Sequence, residues 1–378
     1  MSSFWMPKKQ PLYAPMLATF GGGSVRGFNP GGGGVVEIPL SATHILGAQT
    51  YTGYGGSHRV TLIGGGGASG IVDDSVLSGF GGRGGLVIFD VMLSQGDTIS
   101  VYVGGKGSTP ASSNVGGTGG AGGPSGNITG GSGAAGDGGD YGGGGGGGMS
   151  TFYLNGSPIA IAGGGGGAGG GDQNTDQNMK YGDQASGESD GYTGAAFGGD
   201  AGENGEHGQS NSASDIYIAW GGGKGTSNSH GAPIDLYSAS FTYSGTVGNG
   251  NYGNSGSSGG GGNGGAPNAG NAGGGGGGGS GYWSGAGGQG AQSGRTPSYG
   301  GGGGGGSNYL SGSVLSTVFN GYHNGYLGTY GLGGGWDVTA YANSANTAGS
   351  GTSPKYTADN QAIPTNGRDG YFKIEPNF

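Results

Sequence analysis

The chain has 378 residues, of which 113 are glycine and none cysteine, and its net charge of −9 rests on the 9% of residues that are charged. No G-X-Y period accompanies the glycine, which excludes collagen. The acidic balance speaks against a basic nucleic-acid face, and the lack of cysteine removes disulfides and thiolate metal sites. Glycine at this level suggests low complexity. However, aromatics at 10% and hydrophobics at 31% are richer than disordered chains carry, and a folded domain is expected.

Residues 4–28 (FWMPKKQPLYAPMLATFGGGSVRGF) form the first segment. Prolines 7, 11 and 15 forbid a helix and favour extended chain. Such an arm has little to bury within itself. It reads either as a docking peptide for a partner or sister subunit, or as a strap on its own domain. In the docking reading Phe4, Trp5, Pro11, Tyr13, Pro15, Phe20, Arg26 and Phe28 make the contacts. The domains are then residues 1–34, an extended N-terminal arm, and residues 35–378, a glycine-rich domain. Residues 1–10 carry Lys8 and Lys9 without an apolar stretch behind them, so they do not read as a secretory signal. No apolar run approaches the roughly 20 residues of a membrane span.

Strand patterns follow at 35–40, 44–54 and 59–63. Residues 86–93 (LVIFDVML) are the longest apolar run, and Gly96-Asp97 marks a turn before 98–103 (TISVYV). That pair reads as strands of a buried sheet. Residues 149–154 and 158–162 flank Asn155-Gly156, a strong hairpin dipeptide. Both ends of this hairpin run into polyglycine. Residues 371–374 (YFKI), after Asp369-Gly370, read as a closing strand. Sandwich strands are thus expected at about 35–103, 149–162 and 369–376, with a glycine bundle and loops over about 104–368. No stretch has a helical apolar stripe.

Residues 142–148, 163–171 (broken only by Ala168), 273–279 and 300–306 are near-pure glycine. Ordering such runs costs more chain entropy than ordering any other sequence. The hairpin fixes one end of two of them, which offsets part of that cost. In a polyproline II-like rod, glycine keeps an N–H that can donate sideways to a neighbouring rod. The pure runs are therefore expected to be interior rods, with Gly145, Gly165, Gly276 and Gly303 as bundle positions. Interrupted stretches at 116–123, 130–139 and 259–270 are expected at the periphery.

The succession TYTGYGGSHRVTLIGGGG, GGLVIFDVMLSQGDTISVYVGGKG, GGGGGGGMSTFYLNGSPIAIAGGGGGAGGG, YGGGGGGGSNYLSG and GRDGYFKIEP resembles the glycine-rich domain of the anaplastic lymphoma kinase family of receptors. The resemblance covers roughly residues 51–376. It implies an all-β fold: a jelly-roll-like β-sandwich with an inserted bundle of polyglycine II helices and almost no α-helix. The cysteines, membrane span and kinase of those receptors have no counterpart, so signalling is not implied. Residues 12–34 (LYAPMLATFGGGSVRGFNPGGGG) are similar to the start of glycine-rich structural proteins of tailed bacteriophages. That similarity implies a virion protein, and phage adhesins are similar in using polyglycine rods with variable loops.

Reactive chemistry is sparse. GGKG at 104–107 and GGGKGT at 221–226 lack the Lys-Ser/Thr pair of a P-loop. His44, His58, His207, His230 and His323 show no metal-ligand spacing. Acidic residues across 172–206 make either a calcium site or a solvated loop; EF-hand spacing is missing. A glycan depolymerase needs two carboxylates about 5–10 Å apart, and no pattern announces them. The stronger lead is aromatic: Tyr181, Tyr192, Tyr217, Trp220, Tyr237, Tyr282, Trp283, Tyr326 and Trp336 stand in Gly/Ser/Asn-rich loops, the composition of binding loops. The other reading is that such rings cap rods and fill a thin core.

These features predict a non-enzymatic virion component, a fibre or appendage protein attaching to a host surface, with no cofactor. Its expected partners are other virion proteins through the arm, a host surface glycan or outer-membrane protein, and further copies of itself. The alternative is a purely architectural capsid or tail decoration.

Overall fold

The computed structural model describes residues 36–38, 45–50, 55–73, 76–79, 81–111, 115–120, 122, 128–134, 142–171, 198, 201, 208–211, 216–219, 224–225, 229–231, 246–247, 257, 260–267, 272–291, 300–322, 355–356, 362–363, 367 and 369–376. The described part is all-β, and no helix occurs in it. Its strands are β1 (Val36–Ile38), β2 (Ile45–Thr50), β3 (Gly56–Ile63), β4 (Gly70–Asp73), β5 (Val76–Gly79), β6 (Gly85–Leu93), β7 (Thr98–Tyr102), β8 (Ser150–Leu154) and β9 (Ser157–Ala162). They continue as β10 (Gly208–Asn211), β11 (Ile216–Ala219), β12 (Thr246–Val247), β13 (Tyr309–Leu310), β14 (Ser316–Tyr322), β15 (Lys355–Tyr356), β16 (Ala362–Ile363) and β17 (Tyr371–Pro376).

Two five-stranded sheets dominate, ordered β1-β17-β3-β6-β14 and β13-β9-β8-β7-β2. Alternation along the strands sends Val60, Leu62, Val87, Phe89, Val91, Phe372 and Ile374 of the first sheet into one cluster with Val101, Phe152, Ala160 and Ala162 of the second. Phe152 joins the two sheets. Its ring stands edge-on to Phe89 with centroids 5.8 Å apart and stacks on Phe372 at 6.0 Å. On the opposite face of the first sheet, Ile63, Leu86, Ile88 and Tyr371 form a second apolar cluster. There Asp90, nearly buried, takes Arg59 Nε at 3.0 Å and the Ser316 hydroxyl at 2.7 Å.

The structure places two strands expected in one sheet, residues 86–93 and 98–103, in different sheets. β6 and β7 do not lie side by side: β6 is flanked by β3 and β14, and β7 by β2 and β8. The turn between them carries the chain from one sheet to the other. Asp97 holds it by accepting from Ser94 N–H (2.7 Å) and Asn155 Nδ2 (2.8 Å), while Asn155 Oδ1 accepts from Thr98 N–H (2.8 Å). The closing strand β17 is likewise internal, between β1 and β3. The β8–β9 hairpin turns at Asn155 (φ 51°) and Gly156 (φ 78°), left-handed at both positions as a two-residue primed turn requires.

Six strands continue directly into glycine rods: residues 64–69 follow β3, 81–84 precede β6, 104–108 follow β7, 142–148 lead into β8, 163–171 leave β9, and 300–306 lead to β13. The rod 142–148 shows the packing rule. Gly143, Gly144 and Gly145 donate to Ala134, Ala168 and Ser108, and Gly146, Gly147 and Gly148 donate to Gly131, Gly165 and Gly105, all at 2.7–3.0 Å. Every third residue thus returns to the same neighbour, the periodicity of a threefold rod. The six carbonyls of residues 143–148 accept in turn from Gly117, Gly277, Ala68, Gly120, Ser280 and Gly65. Six rods therefore surround this one. Residues 273–280 are enclosed in the same way by 262–265, 285–291, 301–304, 144–147, 131–134 and 164–170.

The bundle reaches further than the sequence boundaries. Residues 64–69 and 81–84 are rods inside the stretch assigned to strands, and β13 and β14 are strands inside the stretch assigned to bundle and loops. The rod 104–108, which holds the GGKG stretch that fails as a P-loop, has its Lys106 on the outside. Period-three rods and period-two strands do not match at their junction, and side chains take up the difference. Ser150 Oγ accepts from Gly104 N–H and donates to the Ile63 carbonyl, Ser280 Oγ accepts from Met149 N–H, and Asn308 Oδ1 accepts from Gly163 N–H.

Candidate binding surface

The rods have a sheet-side end and a far end. Gly148, Gly163, Ser280, Gly285 and Gly306 lie toward the sheets, because their rods join strands there or pair with rods that do. Ala134, Gly171, Gly265, Ala291 and Gly300 lie toward the far end. Gly171, which precedes segment 172–197, and Ala291 and Gly300, which bound segment 292–299, are at that far end.

At the interior rod positions no side chain fits. A Cβ on Gly145 would land on the carbonyl oxygen of Thr118, on Gly165 on that of Gly82, on Gly276 on that of Gly167, and on Gly303 on that of Gly277. All the expected bundle positions are therefore brought into one backbone-only core.

Of the aromatic candidates, Tyr282 and Trp283 are placed in full. They sit in the short turn between rods 273–280 and 285–291, at the sheet-side end. The rods 273–280 and 300–306 run parallel in a fixed register: Gly276, Gly279 and Tyr282 donate to Gly301, Gly304 and Ser307. Ser307 N–H returns a bond to the Trp283 carbonyl at 2.8 Å, and Ser307 Oγ accepts from Trp283 N–H at 3.0 Å.

This register stacks Tyr282 on Tyr309, with centroids 4.4 Å apart and 19° between planes. Trp283 stands edge-on to Tyr282 at 5.5 Å and to His230 at 4.8 Å. His230 Nδ1 accepts from Ser284 N–H at 3.1 Å, which leaves the proton of its neutral form on Nε2. Burial holds the His230 pKa below its usual 6.5. Tyr282 is 41% exposed. Trp283 Nε1 and Ser284 Oγ are buried and make no hydrogen bond.

A second ring pair, Tyr102 and Tyr153, stands edge-on at 6.3 Å across β7 and β8. Burial, and secondarily Tyr102, raises the Tyr153 hydroxyl above its ordinary pKa.

Of the remaining candidates, Tyr217 lies on β11, which pairs with β10 and β12. Tyr181, Tyr192, Trp220, Tyr237, Tyr326 and Trp336 lie outside the described residues, as do the arm residues Phe4, Trp5, Pro11, Tyr13, Pro15, Phe20, Arg26 and Phe28 and the acidic residues of 172–206. Among the described residues no three His, Asp or Glu side chains come together as a metal cluster, and no helix is long and apolar enough to cross a membrane.

Sequence reasoning missed Tyr309 and His230 as members of the aromatic group. A signal for Tyr309 existed. Residues 273–282 and 300–309 share one pattern: seven glycines, a serine, any residue, a tyrosine. Two rods of equal length packed in parallel bring equivalent residues to the same end. No family model matches the chain, and no curated protein matches it by sequence.

Proposed function

We propose that this chain is a non-enzymatic structural protein of a tailed-phage virion, a fibre or appendage component that displays aromatic glycine-rich loops for attachment to a host surface. The observation that carries the reading is the enclosure of rods 142–148 and 273–280 by six neighbours each. A core of this kind admits no side chain at its interior positions, so sequence can vary at rod ends and on outer rods. A scaffold with a fixed interior and freely exchangeable ends suits display, as rigid frameworks with variable loops do elsewhere. The arm 1–34 would dock other virion proteins, and the partner at the loops would be a host glycan or outer-membrane protein. Assembly as a homo-oligomer completes the reading.

The test replaces the segment between Gly171 and Gly198 with a Gly-Ser linker in the phage that carries the protein. Intact particles with lost or altered host adsorption are expected. Normal adsorption by those particles would leave a purely architectural role in its place.

A further inference from the structure

We infer that the aromatic group at the sheet-side end of the bundle, centred on Tyr282 and Tyr309, is a second binding site and that it takes a neutral saccharide. The inference rests on the display reading for its ligand class, and it names a place other than the far-end loops.

The first argument is assembly. Tyr282 and Tyr309 are the equivalent residues of two heptaglycine-Ser-x-Tyr stretches. The parallel register of their rods carries both to one end and stacks them at 4.4 Å. Ser307 pins the backbone of Tyr282 and Trp283 through three hydrogen bonds. The rings are thus held by rod backbone, and the ordering cost that weakens binding by mobile side chains is already met on folding.

The second argument is exposure. Neither tyrosine belongs to the apolar clusters between or behind the sheets. Tyr282 is one of four large apolar or aromatic side chains left exposed among the described residues. The turn between rods 273–280 and 285–291 needs no aromatic to close, since its pairing is made by backbone and serine. A tyrosine left 41% exposed there is not explained by packing.

The third argument is chemical. Beside the rings, Ser284 is fully buried with a hydroxyl that makes no hydrogen bond, and the Trp283 indole N–H is likewise unpartnered. Leaving two such groups desolvated is costly unless a partner arrives. Burial lowers the His230 pKa below its usual 6.5. Flat aromatic surface and unpaired polar groups fit a ligand with an apolar C–H face and hydroxyl edges. A pyranose ring has that chemistry.

The experiment titrates the full chain with maltohexaose, cellohexaose and mannohexaose, and with polysialic acid as the anionic control, following binding by calorimetry. Binding of at least one neutral hexasaccharide is expected, with polysialic acid silent. Tyr282→Ala and Tyr309→Ala should each weaken it at least tenfold. Tyr282→Phe, which keeps the ring, should change it less than threefold, and thermal melts check that each variant is folded. Failure of all three neutral sugars to bind would overturn the inference, as would binding unaffected by Tyr282→Ala. A third overturning result is loss of binding when the 172–197 segment alone is replaced, since the sugar would then sit at the far end. None of these outcomes touches the host-adsorption result, so the two readings fail separately.

Discussion

The two halves of the described structure solve the same problem with opposite materials. Between the sheets the core is made of side chains, with the Phe152 ring against both Phe89 and Phe372 and all three fully buried. In the bundle the core is made of peptide groups, and rods 142–148 and 273–280 contribute no side chain beyond the terminal serine. The first half derives its stability from apolar area removed from water. The second derives it from close backbone packing and from leaving no peptide group unpaired. The tolerances should therefore be reversed: the sheets suffer when atoms are removed, and the rods when atoms are added.

The largest expected effect tests that reversal directly. Gly145→Ala and Gly276→Ala add one methyl, each onto a carbonyl oxygen of an adjoining rod, and no flexible side chain is there to yield. Each should cost more than about 4 kcal/mol, at the severe end for single substitutions, with poor soluble yield. Phe152→Ala in the sheets should cost about 3–5 kcal/mol through transfer and cavity terms. Urea unfolding of the three variants checks the order. A loss below about 1 kcal/mol at Gly145 would mean that the rods are not the close-packed core described.

A smaller pair separates two reasons for glycine. Gly156 has open space around its Cβ position but a φ of +78°. Gly312 has open space and no positive φ. Gly156→Ala should cost about 1–2 kcal/mol from the left-handed backbone alone, and Gly312→Ala should fall within about 0.5 kcal/mol of the wild type. Equal melting temperatures for the two variants would show that conformation is not what the hairpin turn asks of its glycine.

The same contrast explains what could be read from the sequence. The hairpin 150–162 was legible because Asn155-Gly156 specifies its turn and both strands run into glycine. The all-β class was legible because no helical stripe exists. The sheet partners of β6 and β7 were not, since a short turn fits either a hairpin or a passage between sheets. The deciding contact, Asp97 to Asn155, spans 58 residues. Rods 64–69 and 81–84 were hidden by being short; a run of four to six residues looks like the end of a strand until its donors are traced. At the candidate site, Tyr282 and Trp283 were visible as aromatics in a glycine context. Their partner Tyr309 required knowing that rods 273–280 and 300–306 are parallel, and His230 reaches Ser284 from 54 residues away. Both facts belong to packing, which no local pattern carries.

The smallest effect concerns that histidine and sharpens the comparison at the junction of the two halves. His230 Nδ1 accepts the Ser284 N–H, at the point where the turn leaves the sheet-side end of the bundle. Burial lowers its folded pKa from 6.5, so the native state favours neutral imidazole and the unfolded chain binds the proton more readily. The contribution is fully present above 6.5 and is lost as pH falls from there through the folded pKa. Protonation also places an N–H where an acceptor is needed. Melting temperature should therefore fall between pH 7.5 and pH 5 by more in the wild type than in His230→Asn, whose amide oxygen can accept the same N–H without titrating. Should the two proteins lose equal stability over that interval, the bond from Ser284 does not depend on the charge of residue 230. The junction would then be held by the Ser307 ladder alone.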